Sequence, residues 1–349
     1  SENLKKVLSN KNESDVKMLF NSIDRFGSKI SDVSSKNCKN VFQKIIFFLG
    51  RYEFLSEEPL YKTTTSVVML AKYHEKNSIE NNSKKLVAIK FIKNESYYRR
   101  EYENRKGLDS KYVIPIIETV ECKRTQIKTN ILFEGENEEE YSDEEDYYKP
   151  IYVIVMPAAD KCLDVIYRQE RPTINGIRFF MQEVGESLEY LHNKGKIHGD
   201  LKLANILRIN NKLKLTDFDA TVNIGKDIGY KISSGYAPPE MVKKEGDNYI
   251  IKKQDTVKTL EKATPQIDFW AFGMMLFTLC SENSFLKIDR NDNTDQDGLE
   301  TLYNWNESTA KYHIFSKIKD PLVRSLLLKL LNKDPQDRPV AMAQILEDP

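Results

Sequence analysis

The sequence predicts an α+β fold in two lobes, a β-rich N-terminal lobe carrying one key helix and an α-rich C-terminal lobe, with a cleft near residues 157–160. Two observations predict it. Between residues 51 and 157 the apolar stretches are short and strand-like, as in SVVMLA, LVAIKFI and IYVIVMP, with one helical candidate among them. Beyond residue 157 the apolar positions recur every three or four residues over long stretches, which is the period of buried helices. Strands first and helices after them is the pattern of an α+β fold.

In order along the chain, residues 1–50 read as a helical N-terminal extension. NLKKVL, DVKMLFNSIDRF and NVFQKIIFFLG each repeat apolar residues at three or four. This extension is expected to pack on the main fold, with a partner-binding arm as the sharper reading. Residues 51–157 form the N-terminal lobe, whose helical candidate is NESYYRREYENRKGL. Two polar insertions interrupt it. HEKNSIENNSKK (74–85) lengthens a hairpin, and a second insertion spans 134–149, where EGENEEEYSDEED carries nine carboxylates and reads as a solvated loop. Ser142, followed by acidic residues, fits a site for an acid-directed kinase, and the acidic run is a second candidate for contact with a partner. Residues 158–349 form the C-terminal lobe. RFFMQEVGESLEYLHNKG is an amphipathic helix closed by Gly195, FWAFGMMLFTLC a buried helix and PLVRSLLLKLLNKD another amphipathic one. The lysine-rich stretch 241–264 reads as a further insertion.

Lys+Arg and Asp+Glu both number 53, so the balance gives no push toward nucleic acid or an anionic membrane. No apolar run is long enough to span a bilayer, and no signal peptide opens the chain. The chain starts at Ser1 without a methionine, as a fragment or a processed chain would. Four scattered cysteines, Cys38, Cys122, Cys162 and Cys280, form no CxxC pair and suit a reduced, cytoplasmic setting better than disulfides or zinc.

The chemistry gathers in ordered segments. LVAIKFIK delivers Lys90 from a strand, after the strand–turn–strand unit LYKTTTSVVMLA, which suggests a lid over a nucleotide's phosphates. IHGDLKLANIL (197–207) then holds Asp200, Lys202 two residues on and Asn205 five residues on. KLTDFDAT supplies Asp217, and SSGYAPPE ends in Glu240. An aspartate that accepts a hydroxyl proton, a lysine that neutralises phosphate, and an Asn–Asp pair that ligates Mg²⁺ suit phosphoryl transfer. Each motif is weak alone; their order and spacing are not.

From about residue 55 to 347 the chain resembles the eukaryotic protein kinase superfamily. The resemblance implies that Lys90 contacts the α- and β-phosphates, that Asp200 is the catalytic base, that Lys202 steadies the γ-phosphate, and that Asn205 and Asp217 hold Mg²⁺, with Mn²⁺ as a substitute. It places the partner of Lys90 at Glu101, with Glu103 second. ATP's adenine would lie between Val68 and Ala88 above and Leu207 below, with Met156 gating the back of the pocket. The hinge Pro157-Ala158-Ala159 would offer the Pro157 carbonyl and the Ala159 N–H. Glu240 and Arg338 would form a structural pair, and Asp268 would brace the catalytic loop. Lys202, with Ser233 three residues before Tyr236, implies serine/threonine acceptors on protein substrates.

The departures are specific. Tyr61, Thr63 and Ser66 stand at the lid's three glycine positions and Thr65 at its aromatic tip, so the lid should be stiffer and weaken ATP binding or turnover without abolishing it. HGD places Gly199 where an arginine would read a phosphorylated activation loop. DFD places Asp219 at the hinge-like glycine, where a carboxylate stiffens the loop or adds negative charge near the metals. Arg105 falls where the family packs an apolar residue, so its helix is expected to sit differently. KFIK is similar to the FIKK kinases, a reading that would move the lysine's role to Lys93. The leading expectation is an active, divergent serine/threonine kinase. The alternatives are a pseudokinase scaffold and a small-molecule kinase on the same fold.

Overall fold

The computed structural model describes residues 47–75, 85–123, 132–134, 150–228, 231–253 and 260–348. The helices expected before residue 47, the tip of the 74–85 insertion, nearly all of the acidic run with Ser142, and residues 254–259 of the lysine-rich stretch lie outside the described residues.

The N-terminal lobe is one antiparallel sheet. Its strands are β1 (Phe47–Phe48), β2 (Tyr52–Phe54), β3 (Tyr61–Lys62), β4 (Ser66–Tyr73), β5 (Lys85–Ile92), β6 (Glu118–Lys123) and β7 (Pro150–Pro157). They run β1-β2-β4-β5-β7-β6, with β3 on the open side of β4. Phe47–Phe48 corrects the expectation of helix through residue 50. The chain reverses through Leu49 and Gly50, both left-handed at φ 52 and 66, and pairs Phe48 with Tyr52.

The two-residue period of β5 sets up the site. Val87, Ile89 and Phe91 point into a core shared with Phe48, Val67, Met69 and Val153. Ala88, Lys90 and Ile92 therefore face the other side, where Ile154 and Met156 of β7 and the helix pack. That helix, α1 (Glu95–Arg105), starts at Asn94, whose side chain accepts the Ser96 N–H at 2.8 Å. It buries Glu101 and Arg105, two charged residues, where an ordinary amphipathic helix would bury apolar ones.

The C-terminal lobe is built on helices. These are α2 (Leu163–Glu170), α3 (Ile174–Asn193), α4 (Pro265–Ser281), α5 (Gln296–Tyr303), α6 (Glu307–Lys317), α7 (Pro321–Leu330) and α8 (Met342–Leu346). α4 is apolar on every face and buried along nearly its whole length, with Trp270 packed edge-on against Trp305 at 5.1 Å. Short strands line the top of this lobe. They are β8 (Lys161–Cys162), β9 (Lys196–Ile197), β10 (Ile206–Ile209), β11 (Lys212–Leu215) and β12 (Val222–Asn223), and the segment between β9 and β10 carries Asp200 to Asn205. The expected insertion at 241–264 opens as a β-hairpin, β13 (Val242–Glu245) on β14 (Asn248–Ile251). No described helix is long and apolar enough to cross a membrane. Cys122, Cys162 and Cys280 are free thiols.

Candidate active site

Strand β5 aims Lys90 at helix α1, and Glu101 meets it there at 2.6 Å. Lys93 lies past the end of β5 with its ammonium over the Phe133 ring, so Lys90, and not Lys93, enters the cleft. Lys90 also donates to Asp217 Oδ1 at 2.7 Å. Burial disfavours its charge, but Asp217 and Glu101 outweigh that and raise its pKa above the ordinary lysine value. The second Glu101 oxygen takes the Arg105 guanidinium at 3.0 Å, and Arg105 also donates to the Ile114 carbonyl at 2.6 Å. The helix does not swing away to accommodate this arginine. It keeps Glu101 on Lys90 and buries Arg105 against the Met156 sulfur at 3.7 Å.

The loop between β9 and β10, which carries Asp200, is braced by α4. Asp268 of α4 accepts the His198 and Gly199 N–H groups at 2.8 and 3.0 Å, together with the His192 ring at 2.8 Å. Burial opposes its charge, yet the His192 hydrogen bond and the neighbouring imidazoles and amide hold its carboxyl below the ordinary range. Gly199 sits at φ 79, and a Cβ there would lie 2.7 Å from the Ala220 carbonyl oxygen, so this backbone requires glycine. Asp200 Oδ1 accepts the Ser233 N–H at 2.8 Å, and Asn205 Nδ2 donates to the Asp200 carbonyl at 2.8 Å. Lys202 donates to Ser233 Oγ at 2.9 Å and lies 3.8 Å from Asp200. Further down, Arg338 holds both Glu240 oxygens at 2.7 Å and stacks over Trp270.

The lid is a tight turn joining β3 to β4. The Thr63 N–H donates to the Ser66 carbonyl at 2.8 Å. Thr63 Oγ1 in turn accepts the Ser66 N–H at 3.0 Å and the Thr65 N–H at 3.3 Å. The amides that would face phosphate in a glycine loop are spent on the lid's own threonine. Beneath it, Val68 pairs with Lys90 across β4 and β5, Ala88 pairs with Met156 across β5 and β7, and Leu207 packs in the same cluster. The Ala158 N–H goes to the Leu86 carbonyl at 3.1 Å, and Pro157 has no N–H to give.

Asn205 and Asp217 fit a divalent cation. The Asn205 amide nitrogen is committed to the Asp200 carbonyl, which leaves its oxygen as the ligating atom, and carboxylate and amide oxygens are the hard donors Mg²⁺ takes. Among the described residues no group of three or more His, Cys, Asp or Glu forms a cage. A cation here would be completed by substrate phosphates and water, as is usual for Mg²⁺.

Two residues at the site escape any reading of motifs. Lys231 donates to Asp217 Oδ2 at 3.1 Å and to Asp219 Oδ2 at 2.8 Å. Burial disfavours its charge, but Asp217 and Asp219 raise its pKa well above the ordinary value. Burial first, and then the Asp217 charge, push the Asp219 carboxyl up to about 6. Asp292, at φ 61 in the loop between α4 and α5, pairs with Lys202 at 3.0 Å. That loop is bound to the activation segment, since the Gly235 N–H donates to the Asp292 carbonyl and the Thr294 N–H to Ser234 Oγ. Neither Lys231 nor Asp292 stands at a spacing that a catalytic motif specifies.

A family model described as Protein kinase domain matches residues 74–349, beginning just after the TTTS lid. Three curated relatives are similar to the chain over shorter stretches. A protein of Acanthamoeba polyphaga mimivirus, named as a serine/threonine-protein kinase, is 28% identical over 182 residues, half of this chain and 23% of its own length. The human NUAK family SNF1-like kinase 1 is 29% identical over 243 residues, 66% of this chain and 29% of its own. The Arabidopsis thaliana mitogen-activated protein kinase 20 is 27% identical over 231 residues, 58% of this chain and 36% of its own. The chain thus spans between about a quarter and about a third of the length of these relatives.

Proposed function

The chain belongs to the protein kinase family, and from that premise we propose that it transfers the γ-phosphate of ATP to serine or threonine hydroxyls of protein substrates. The lobes that would do this divide near residue 157, with 51–157 above the cleft and 158–349 below it. Asp200 takes the proton of the acceptor hydroxyl as its oxygen attacks the γ-phosphorus and the bond to the β–γ bridging oxygen breaks, releasing ADP. Lys202 sits beside Asp200 to meet the charge of the moving phosphoryl group, and Ser233 ties both to the activation segment. Lys90, held by Glu101, meets the α- and β-phosphates. Val68, Ala88 and Leu207 enclose adenine, Met156 closes the back, and the Pro157 carbonyl and Ala159 N–H mark its edge. Mg²⁺, or Mn²⁺ in its place, held by Asn205 and Asp217, supplies neutralisation of phosphate charge.

The observation that carries this reading is the Asp200–Ser233–Lys202 unit. The base, the phosphate cation and the acceptor-side segment are linked through one serine, by its amide at 2.8 Å and its hydroxyl at 2.9 Å. The test is transfer of radiolabelled phosphate from ATP to a degenerate peptide library, with Asp200→Asn as control. Labelling of Ser and Thr peptides that falls about 10²- to 10⁴-fold in the variant supports the reading. No transfer by a folded preparation overturns it.

A second reading, a scaffold that binds partners with little or no catalysis, is favoured by the self-paired state of the site. Both Asp217 oxygens are bonded to lysines, and the lid amides are bonded to Thr63. Absence of thermal stabilisation by millimolar ATP and Mg²⁺ would favour the scaffold.

A further inference from the structure

Lys231 and Asp219 form a cation–anion contact that the transfer chemistry above leaves unused. The ammonium of Lys231 draws Asp217 Oδ2 and Asp219 Oδ2 toward one point, at 3.1 and 2.8 Å. The other Asp217 oxygen is held by Lys90, so Asp217 has no oxygen in that state free of a lysine. Asp219 is buried at 5% exposure, and its second oxygen, Oδ1, is buried with no hydrogen-bond partner. A buried, unpartnered carboxylate oxygen is costly, and a divalent cation in the place of the Lys231 ammonium would satisfy it by taking the Asp219 carboxylate through both oxygens, Oδ2 and Oδ1.

Two carboxylate oxygens already converging on one ammonium need only a small further approach to ligate Mg²⁺ or Mn²⁺, at about 2.1 Å each. A glycine at position 219 would offer no such ligand. Resting on the kinase reading above, we propose that Asp219 is an additional divalent-cation ligand beside Asn205 and Asp217, and that Lys231 is the internal cation the metal displaces from it. No bond is made or broken; a cation is exchanged.

The exchange reaches the acceptor side. Lys231 lies two residues before Ser233, whose amide and hydroxyl hold Asp200 and Lys202. Displacing its ammonium releases the activation segment from the DFD loop at a point next to the residues that position the base. Metal entry and loss of that one tether are thereby the same event, while Ser233 stays on Asp200 and Lys202.

The test measures Mn²⁺ binding by loss of the free-ion electron paramagnetic resonance signal, on the full chain without nucleotide, so that it does not depend on turnover. A lysine that occupies two ligand oxygens competes with the metal for them, and removing a like charge at such close range favours the dication by about tenfold or more. Lys231→Met should therefore tighten Mn²⁺ binding at least tenfold, and Asp219→Asn in the Lys231→Met background should reverse that gain. Lys244→Met, on the β13–β14 hairpin, controls for loss of a surface charge and should leave the Kd unchanged. An unchanged Kd in Lys231→Met, or no binding by that variant, overturns the displacement. A Kd that Asp219→Asn leaves unchanged in the Lys231→Met background overturns the ligand role. Asp219→Gly repeats that test if the asparagine variant fails to fold. Kinase assays that fail while Mn²⁺ binding behaves as expected would refute the transfer reading and leave the cation exchange standing.

Discussion

Replacing Thr63 tests whether the lid's missing glycines matter through flexibility or through hydrogen bonding. Thr63 Oγ1 holds two amides, those of Ser66 at 3.0 Å and Thr65 at 3.3 Å. A phosphate that takes those amides must first break the bonds, each worth about 0.5–1.5 kcal/mol net. The longer one counts for less, so the obstacle to phosphate is about 1–2 kcal/mol, or roughly five- to thirtyfold in affinity. Thr63→Gly removes the acceptor but loosens the turn, which returns about 0.5–1 kcal/mol as lost chain entropy. Thr63→Val removes the acceptor and keeps the β-branch, so it isolates the hydrogen bonds. Steady-state kinetics with ATP varied should show kcat/KM about threefold higher for the glycine variant and at least as high for the valine variant. Ser66→Gly, which leaves the Thr63 acceptor in place, should gain less. A gain in Thr63→Gly with none in Thr63→Val would assign the defect to stiffness and refute the hydrogen-bond account. Unchanged or lower values in both would refute any role for the turn.

Two further outcomes follow from ion pairs. Asp292→Asn keeps a residue that tolerates the left-handed backbone but removes the charge seated on Lys202 at 3.0 Å. With Asp292 partly exposed, the gain should be about 1 kcal/mol or less, read as an up to fivefold rise in kcat because Lys202 meets the moving phosphoryl group, and an unchanged kcat would mean that Asp292 does not compete. Asp268, buried and depressed by His192 and the Gly199 amide, contributes stability that is present above its unfolded pKa of about 3.9 and lost as pH falls through its lower folded value. Urea midpoints measured from pH 6 to pH 3 should therefore fall more steeply for the parent chain than for Asp268→Asn, and parallel curves would contradict this.

What the sequence made legible was whatever short motifs in a set order carry through resemblance to protein kinases. VAIK marked Lys90 and Ala88 by that resemblance, and counting back from VIPI singled out Glu101 ahead of Glu103; the structure sets Glu101 on Lys90. HGD, DFD and PPE fixed Asp200, Asp217 and Glu240 by spacing, and the structure brings Glu240 to Arg338 across 98 residues of chain. Phe47–Phe48 was not legible. A short apolar run does not tell helix from strand, and the turn that folds it back places Leu49 at φ 52, a conformation leucine rarely signals. Lys231 and Asp292 were not legible for another reason. Their partners are set by how two loops cross, and no periodicity encodes a crossing. Arg105 could be flagged as out of place from its position, but its partners Glu101 and Ile114 only the packing reveals.

Those departures are tied together by charge. Arg105, Glu101, Lys90, Asp217, Lys231 and Asp219 form an unbroken chain of alternating sign, with successive contacts of 3.0, 2.6, 2.7, 3.1 and 2.8 Å. The three central residues alone, Glu101, Lys90 and Asp217, carry one net negative charge, as a site awaiting a cation should. Asp219 adds a second negative charge that a buried cluster could not hold unaided. Arg105 at one end and Lys231 between the two aspartates bring the six to neutrality. A carboxylate in the DFD loop, a guanidinium on α1 and a lysine before Ser233 therefore balance one another's charge within one buried cluster. Removing Lys231 alone leaves the chain one negative charge in excess, and that excess is what a divalent cation would meet.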